Sequence, residues 1–315
     1  MSRKQENGTI PVVDLGQLGI DNEEEPCENE WRRVAEGIRS AFENIGFVYL
    51  SGHGIANEHV NRLVKASAKF FDLPQEKKEK YLRNKESYHG YVAVNSEKLD
   101  PSFQNEVRES YNIKNADGSF PDDEVPEFRE ASRDFLDSCN KLAHRIFSAM
   151  SLGLDLRRNF FSDAHRFLCR EGNSSVARVL FYPPVPEDKL INSTRCGEHT
   201  DYGTLTLLFQ DEIGGLQVYD RSGNWINADF IPGTVLVNIG DLLQLWTSGR
   251  FKATKHRVII PEDEERRRKC RRSVVYFVHP DDSLLIEPLD GSKNFEPFTS
   301  RRYVEDRVAE TYKMS

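Results

Sequence analysis

Residues 196–219 read CGEHTDYGTLTLLFQDEIGGLQVY, and they place His199 and Asp201 at the start of an apolar run that is typical of a β-strand. Because successive side chains of a strand point to opposite faces, we predict that His199 and Asp201 project the same way and that Thr200 points away from them. A histidine and an aspartate at this spacing also occur by chance on protein surfaces. The pair therefore indicates either a solvated strand end or one half of a site.

Short β-prone runs and turns continue through the second half of the chain. The predicted strands lie in SSVARVLFYPP, TLTLLFQ, GGLQVYD, NWINADF, TVLVNIG, HRVIIP and SVVYFVHP. Seven short strands separated by turns predict a sandwich or jelly roll rather than alternating βαβ units. The pair Gly240–Asp241 is interpreted as a strand turn, and the charged segment EDEERRRKCRR (262–272) as a solvated loop between strands.

Helices are predicted mainly in the first half. Apolar residues spaced three and four apart indicate amphipathic helices from Trp31 to Phe42 and from Val60 to Phe71, with the buried strand GFVYLSGHGI (46–55) between them. Pro74 opens a lysine-rich helix whose charges are expected to face water. After a segment of loops and short strands, a long helix over 127–152 has one apolar face. We therefore predict a mainly β protein with flanking α-helices.

Composition narrows the class of protein. The formal net charge of −8 argues against a nucleic-acid partner, which requires a basic face. No apolar run approaches the ~20 residues of a membrane span, and the start of the sequence has no apolar core of a signal peptide. The five cysteines are scattered, without a C-x-x-C pair. We expect a cytoplasmic monomer with reduced thiols that acts on a small molecule and binds neither nucleic acid nor membrane.

A third candidate ligand strengthens the His199 and Asp201 pair. His256 opens another β-branched run 55 residues after Asp201, so a second strand of the same sandwich can bring it alongside. Two histidines and one carboxylate are the facial triad of non-haem Fe(II), which leaves three coordination positions open. The other histidines have no partner at a metal-binding interval, and we expect them to cap, pack or face solvent.

A second polar pair follows on the last predicted strand. Arg271 and Ser273 are two residues apart in CRRSVVYF and are predicted to face the same way, whereas Arg272 is expected to face water. Arginine offers a planar fork of donors that suits a carboxylate, and serine adds a hydroxyl donor. The pair is therefore a candidate carboxylate clamp.

These motifs together resemble the isopenicillin N synthase-like family of Fe(II)/2-oxoglutarate dioxygenases. The similarity runs nearly end to end, through IPVVDL, AFENIGFVYLSGHGI, FFDLPQEKKEKY, GYV, FYPP, GEHTDYGTLTLLFQDEIGGLQV, GDLLQLWTSGRFKATKHRV and RRSVVYFVHP. The resemblance implies a double-stranded β-helix, a distorted jelly roll braced by the long helix. It implies an N-terminal dioxygenase region (1–125), a bracing helical segment (126–170), a catalytic core (171–285) and a C-terminal tail and helix (286–315).

The resemblance also implies roles for residues. His199, Asp201 and His256 would bind Fe(II), and three residues would bind the cosubstrate 2-oxoglutarate: Arg271, Ser273 and Tyr182 of FYPP. With O2, and with ascorbate as a candidate reductant, such an enzyme oxidises, by expectation hydroxylates, a small organic molecule and releases succinate and CO2. The chain departs from many plant members, which have asparagine where this sequence has Leu180, so one cosubstrate contact is missing or replaced.

The substrate pocket is the least specified part of the site. Candidate residues are Tyr88, Tyr91, Arg108, Tyr111 and Phe277. Each is equally compatible with packing or with the surface. If Arg108 faced the iron, an acidic substrate would follow.

Three alternatives remain open from the sequence. The first is an iron oxidase of the same family that does not use 2-oxoglutarate, since the Arg-x-Ser pair does not exclude it. The second is a catalytically silent jelly-roll protein that binds a small molecule. The third, a zinc hydrolase, lacks an evident general base beside the metal.

Overall fold

The computed structural model describes residues 9–84 and 86–313. The strands are β1 Val12–Asp14, β2 Phe47–Ser51, β3 Gly90–Val92, β4 Asn105–Glu106, β5 Glu109–Ile113, β6 Val176–Tyr182, β7 Ser193–Thr194, β8 Cys196–His199, β9 Leu205–Gln210, β10 Leu216–Tyr219, β11 Trp225–Asn227, β12 Thr234–Ile239, β13 His256–Val258, β14 Arg271–Val278, β15 Leu285–Ile286 and β16 Phe298–Thr299. The helices are α1 Glu28–Asn44, α2 Asn57–Phe71, α3 Gln75–Lys78, α4 Glu127–Gly153, α5 Phe160–Asp163, α6 Asp241–Trp246, α7 Glu264–Arg267 and α8 Ser300–Lys313.

Two sheets form the body of the protein. The large sheet has the order β1-β2-β12-β9-β14-β6-β5-β3, and the small sheet has the order β11-β10-β13-β8. Except for the parallel β1–β2 pair, neighbouring strands in both sheets are antiparallel. The predicted jelly roll is confirmed, and every strand predicted for the second half is present. The large sheet takes strands from both halves of the chain, and the division into four segments stays a prediction.

Side-chain alternation along the large sheet separates two apolar cores. On β14, Val274 and Tyr276 belong to the core that packs against the helices, and Val275 belongs to the core between the two sheets. We call these the helix-side core and the inter-sheet core. The inter-sheet core consists of Phe47, Tyr49, Leu180, Tyr182, Cys196, Leu216, Val218, Ala228, Leu236, Val258 and Val275. Each fully buried large apolar side chain contributes about 1.5–3 kcal/mol, so both faces stabilise the sheet.

The long helix α4 supports the helix-side face. Its buried positions include Phe128, Phe135, Leu142 and Phe147, and it packs against α1 and α2. The prediction of a long helix beginning at Glu127 is confirmed. Among the helices of residues 9–84 and 86–313, none is both long and apolar enough to cross a membrane.

Two segments of the second half differ from their predictions. Gly240 is not part of a strand turn but the residue before α6, with an extended backbone that lets Asp241 begin the helix. The segment 262–272, predicted to be a loop, contains the single-turn helix α7 and the start of β14. The Asp263 carboxylate accepts a hydrogen bond from the backbone N–H of Arg266 and so caps α7, which the charge-based prediction did not consider.

One charge of the lysine-rich helix is buried, contrary to the prediction that they all face water. Lys78 and Glu109 have side chains 8% and 9% exposed, and their Nζ and Oε2 atoms are 2.7 Å apart. The Tyr91 hydroxyl donates a second hydrogen bond to the same carboxylate oxygen. β5 brings Glu109 over α3 from 31 residues away in the sequence, so the local charge pattern carries no sign of the pair.

Removing the buried ammonium should destabilise the protein. We expect Lys78→Met to lower the free energy of unfolding by about 3–5 kcal/mol, because Glu109 would stay buried without its partner. Lys77→Met is the matched control, since the Lys77 side chain is 44% exposed and 3.8 Å from Glu124, and it should cost about 0–1 kcal/mol. Urea denaturation followed by circular dichroism compares the variants. Equal losses in both would contradict the role assigned to the buried pair.

Candidate active site

Two histidines and one aspartate meet in the cavity between the two sheets. His199 ends β8, His256 begins β13, and the two residues are direct partners in the ladder. Asp201 lies in the loop before β9, with its Oδ1 3.8 Å from Nε2 of His199 and 3.7 Å from Nε2 of His256. Within residues 9–84 and 86–313, these three form the cluster of His, Cys, Asp or Glu side chains that could hold a metal ion.

The prediction that His199 and Asp201 share one strand is wrong, because β8 ends at His199. The loop that follows packs against the start of α6, where the backbone N–H of Asp241 donates to the Asp201 carbonyl at 2.7 Å. The N–H of Leu242 donates in the same way to the carbonyl of Tyr202 at 3.2 Å. The aspartate therefore turns toward the imidazoles through a fixed loop conformation and not through strand alternation.

The Asp201 carboxylate has one oxygen committed to the protein and one left for a cation. Its Oδ2 accepts hydrogen bonds from Thr206 Oγ1 at 2.6 Å and Asn238 Nδ2 at 2.7 Å, and Oδ1 faces the histidines. Burial opposes ionisation, but the two imidazoles and these hydrogen bonds lower the pKa of Asp201. The carboxylate is therefore ionised, with Oδ1 oriented as a single-oxygen ligand.

Both imidazoles are oriented by backbone carbonyls. His199 Nδ1 lies 2.8 Å from the Gly197 carbonyl, and His256 Nδ1 lies 3.1 Å from the Thr254 carbonyl. A proton on each Nδ1 leaves the Nε2 lone pairs directed at the common point with Asp201. Burial and the neighbouring His199 lower the pKa of His256 to about 4, so this imidazole is neutral near pH 7. The donor set fits a divalent transition metal.

The candidate clamp lies on β14 in the wall of the same cavity. Arg271 is 1% exposed, its Nη1 donates to Ser273 Oγ at 3.3 Å, and its Nη2 donates to Gln210 Oε1 at 3.0 Å. The guanidinium carbon lies 4.9 Å from the centre of the Tyr182 ring. Gln210 was missed in the sequence because it lies on β9, which becomes a neighbour of β14 only in the folded sheet.

Leu180 stands where many plant members have asparagine, and the structure shows its surroundings. Leu180 is the ladder partner of Ser273, is 6% exposed and belongs to the inter-sheet core. An apolar side chain therefore stands beside the clamp at this position. Arg272, expected in water, is instead half-buried, with its guanidinium 5.5 Å from the centre of the Phe181 ring on the opposite face.

Three of the five substrate candidates line the cavity that contains the triad: Tyr88, Arg108 and Phe277. Tyr91 and Tyr111 lie instead in the helix-side core, with their rings 5.6 and 5.0 Å from that of Phe70 on α2. Their prediction as pocket residues was wrong, because β3 and β5 turn these rings toward the helix.

Arg108 does not carry an unbalanced charge at the cavity. Its Nη2 is 3.0 Å from Glu106 Oε2 and 3.8 Å from Glu97 Oε2, and all three side chains are at most 7% exposed. Nη1 of Arg108 donates a hydrogen bond to Cys196 Sγ. Glu106 therefore compensates this guanidinium directly, whereas Glu97 is held more closely by Arg178, at 2.8 and 3.1 Å. Because a carboxylate already pairs with Arg108, its place in the cavity wall does not by itself indicate an acidic substrate.

The C-terminal helix α8 supplies part of the cavity wall, which the sequence analysis missed. Val304, Val308 and Thr311 line the cavity, and Thr311 Oγ1 is 2.6 Å from the hydroxyl of Tyr202, the residue next to Asp201. Their spacing of four and three places them on one helix face, and this periodicity was the available signal. The helix thus closes the cavity beside the triad.

Two protein-family models match the chain. The model of the 2OG-Fe(II) oxygenase superfamily matches residues 173–280, which include the triad and the clamp. The model of the N-terminal region of non-haem dioxygenases, named for morphine synthesis, matches residues 10–134.

Relatives align over most of the chain. The 2-oxoglutarate-Fe(II) type oxidoreductase ppzD of Metarhizium rileyi is 32% identical over 89% of this chain and 85% of its own. The 2-oxoglutarate-dependent dioxygenase htyE of Aspergillus rugulosus is 34% identical over 78% of this chain and 80% of its own. A full-length Neurospora crassa protein, solved in complex with alpha-KG and thymine, superposes with a TM-score of 0.86 and 31% identity over 98% of this chain and 99% of its own. The chain thus belongs to the 2OG-Fe(II) oxygenase superfamily, in its isopenicillin N synthase-like family, and is an Fe(II)- and 2-oxoglutarate-dependent dioxygenase.

Proposed function

We propose that His199, Asp201 and His256 hold the Fe(II) of this dioxygenase. The proposal rests on the different contacts of the two Asp201 carboxylate oxygens. Oδ2 accepts hydrogen bonds from two donors, whereas Oδ1 is directed at the Nε2 atoms of both histidines. When bound, Fe(II) couples the decarboxylation of 2-oxoglutarate by O2, giving succinate and CO2, to oxidation of the substrate. The three residues would supply three ligand atoms and would leave the remaining coordination positions to the cosubstrate and O2.

We propose that Arg271, Ser273 and Tyr182 hold the distal carboxylate of 2-oxoglutarate. The guanidinium and the hydroxyl lie on one face of β14, and Tyr182 is the ladder partner of Arg271 on β6. All three are at most 3% exposed, so a carboxylate held there exchanges water for charge-assisted hydrogen bonds. Gln210 orients the guanidinium from the neighbouring strand.

The substrate is inferred to be a small organic molecule that is hydroxylated in the same cavity. Tyr88 and Phe277 offer aromatic surface, and α8 adds Val304 and Val308, so this wall favours an apolar or ring-containing portion of the substrate. Thymine, a ligand of the similar Neurospora crassa structure, is a suitable first probe. Closure by these side chains would exclude water from the reacting atoms.

The cellular setting is also a proposal. The five cysteines are all free thiols, as expected for a protein of the reducing cytoplasm. The monomeric state, the absence of nucleic-acid and membrane partners, and any use of ascorbate stay predictions from the sequence.

Succinate release tests the reaction. We expect a library of small metabolites, thymine included, to contain a compound that stimulates succinate formation by the Fe(II)-loaded protein. The oxidised product and succinate should then appear in equal molar amounts, because one 2-oxoglutarate is consumed for each substrate molecule oxidised. Mass spectrometry measures both. Oxidised product formed without succinate would point instead to the oxidase that does not use 2-oxoglutarate.

Loss of one imidazole tests the metal ligands. His256→Ala should weaken Fe(II) binding by at least about 100-fold, because a ligand change exceeds the 10–100-fold cost of altering the groups behind a ligand. His279→Gln is the matched control, since His279 lines the same cavity outside the triad and its loss should leave iron content unchanged. Iron is measured after anaerobic reconstitution. Equal occupancy in wild type and His256→Ala would refute the assignment.

Loss of the guanidinium tests the clamp. Arg271→Ala should raise the Kd for 2-oxoglutarate by about 100-fold and leave iron content unchanged, because it removes a buried charged partner of the carboxylate. Arg272→Ala, a change to the adjacent arginine on the other face of the strand, should alter the Kd little. Anaerobic calorimetry gives the Kd for 2-oxoglutarate of the wild type and of each variant. A similar Kd in wild type and Arg271→Ala would rule out the clamp.

A further inference from the structure

A second arginine is buried next to the clamp. Arg195 is 0% exposed and precedes β8, and its Nη2 donates to the carbonyl of Lys269, two residues before Arg271, at 3.3 Å. Burial and the charge of Arg271 lower the pKa of Arg195 to about 10. The Arg195 guanidinium therefore stays positively charged near pH 7, and it lies in the same buried region as Arg271.

The protein offers little to balance these two charges. Across residues 9–84 and 86–313, neither Arg195 nor Arg271 has a carboxylate oxygen within 4.0 Å. Nε and Nη1 of Arg195 and Nε of Arg271 are buried without a hydrogen-bond partner. Asp211 acts on both through space, but its two oxygens accept the backbone N–H groups of Ile213 and Arg272.

Two other buried cations among the described residues are paired with carboxylates. Arg108 lies within 4.0 Å of Glu106 and Glu97, and Lys78 lies 2.7 Å from Glu109. A buried charge without a partner is strongly unfavourable. The unpaired positive charge of Arg195 and Arg271 therefore indicates that an anion completes this region.

We propose that Arg195 is a positioning residue that adds a second positive charge behind Arg271 and so selects a cosubstrate with a distal carboxylate. The inference rests on the proposed role of Arg271 and Ser273. Leu180, the ladder partner of Ser273, offers the clamp no polar contact. The long-range attraction between the Arg195 charge and the distal carboxylate would compensate for this missing contact. A 2-oxo acid without a second carboxylate gains nothing from this charge.

Binding of two 2-oxo acids tests the proposal. 2-Oxoglutarate and 2-oxobutyrate, which lacks the distal carboxylate, are titrated anaerobically into protein loaded with Mn(II) in place of Fe(II). We expect Arg195→Met to raise the Kd for 2-oxoglutarate roughly tenfold, as loss of one nearby unit charge implies, and to leave that for 2-oxobutyrate unchanged. Arg195→Lys should restore most of the affinity, because the charge returns. Mn(II) affinity should stay the same in all variants.

Thermal unfolding of the metal-free protein separates this role from a structural one. Arg195→Met should be as stable as wild type or more stable, because an unpaired buried charge is removed. Lower stability together with an unchanged Kd ratio of the two acids would overturn the proposal. If Arg195→Met does not fold, Arg195→Gln is measured instead under the same criteria. Wild-type protein that binds Mn(II) but not 2-oxoglutarate would refute the proposed clamp itself, before any variant is compared.

Discussion

The antiparallel pairing of β8 with β13 is the constraint on which the site depends. It places His199 opposite His256, although the register shifts between His256 and Val258, and on the other side of β13 His256 lies opposite Val218 of β10. Because strand side chains alternate with a period of two, a slip of one residue would turn an imidazole out of the cavity. The small sheet thus fixes the positions of the two imidazoles that are proposed to bind the metal.

The third proposed ligand, Asp201, is held in a different way. Asp201 lies beyond the strand, where the start of α6 holds its backbone and Thr206 and Asn238 hold one carboxylate oxygen. α8 contacts the same loop through Tyr202. The loop that carries Asp201 therefore contacts both α6 and the C-terminal helix that lines the cavity.

The periodic patterns of the sequence predicted most of the fold. Strand alternation in SVVYFVHP and the apolar stripe of α4 were read correctly because each element buries one face against a neighbour. The motif H-x-D with a distant histidine identified the triad, although the reason given for the convergence of His199 and Asp201 was wrong. Thr206, Asn238 and Gln210 escaped notice, since polar residues on strands are common and only partners in space give them a role.

Local periodicity and the chemistry of the motif were enough to predict the kinds of elements, the jelly roll and the residue types of the site. The large sheet with its two buried faces and the pairing of charges became visible only in the folded chain. Lys78 is paired with Glu109 and Arg108 with Glu106, whereas no carboxylate oxygen of the described residues lies within 4.0 Å of the Arg195 or Arg271 guanidinium. Ion pairing depends on groups that are far apart in the chain and adjacent in space, and no local pattern records that adjacency.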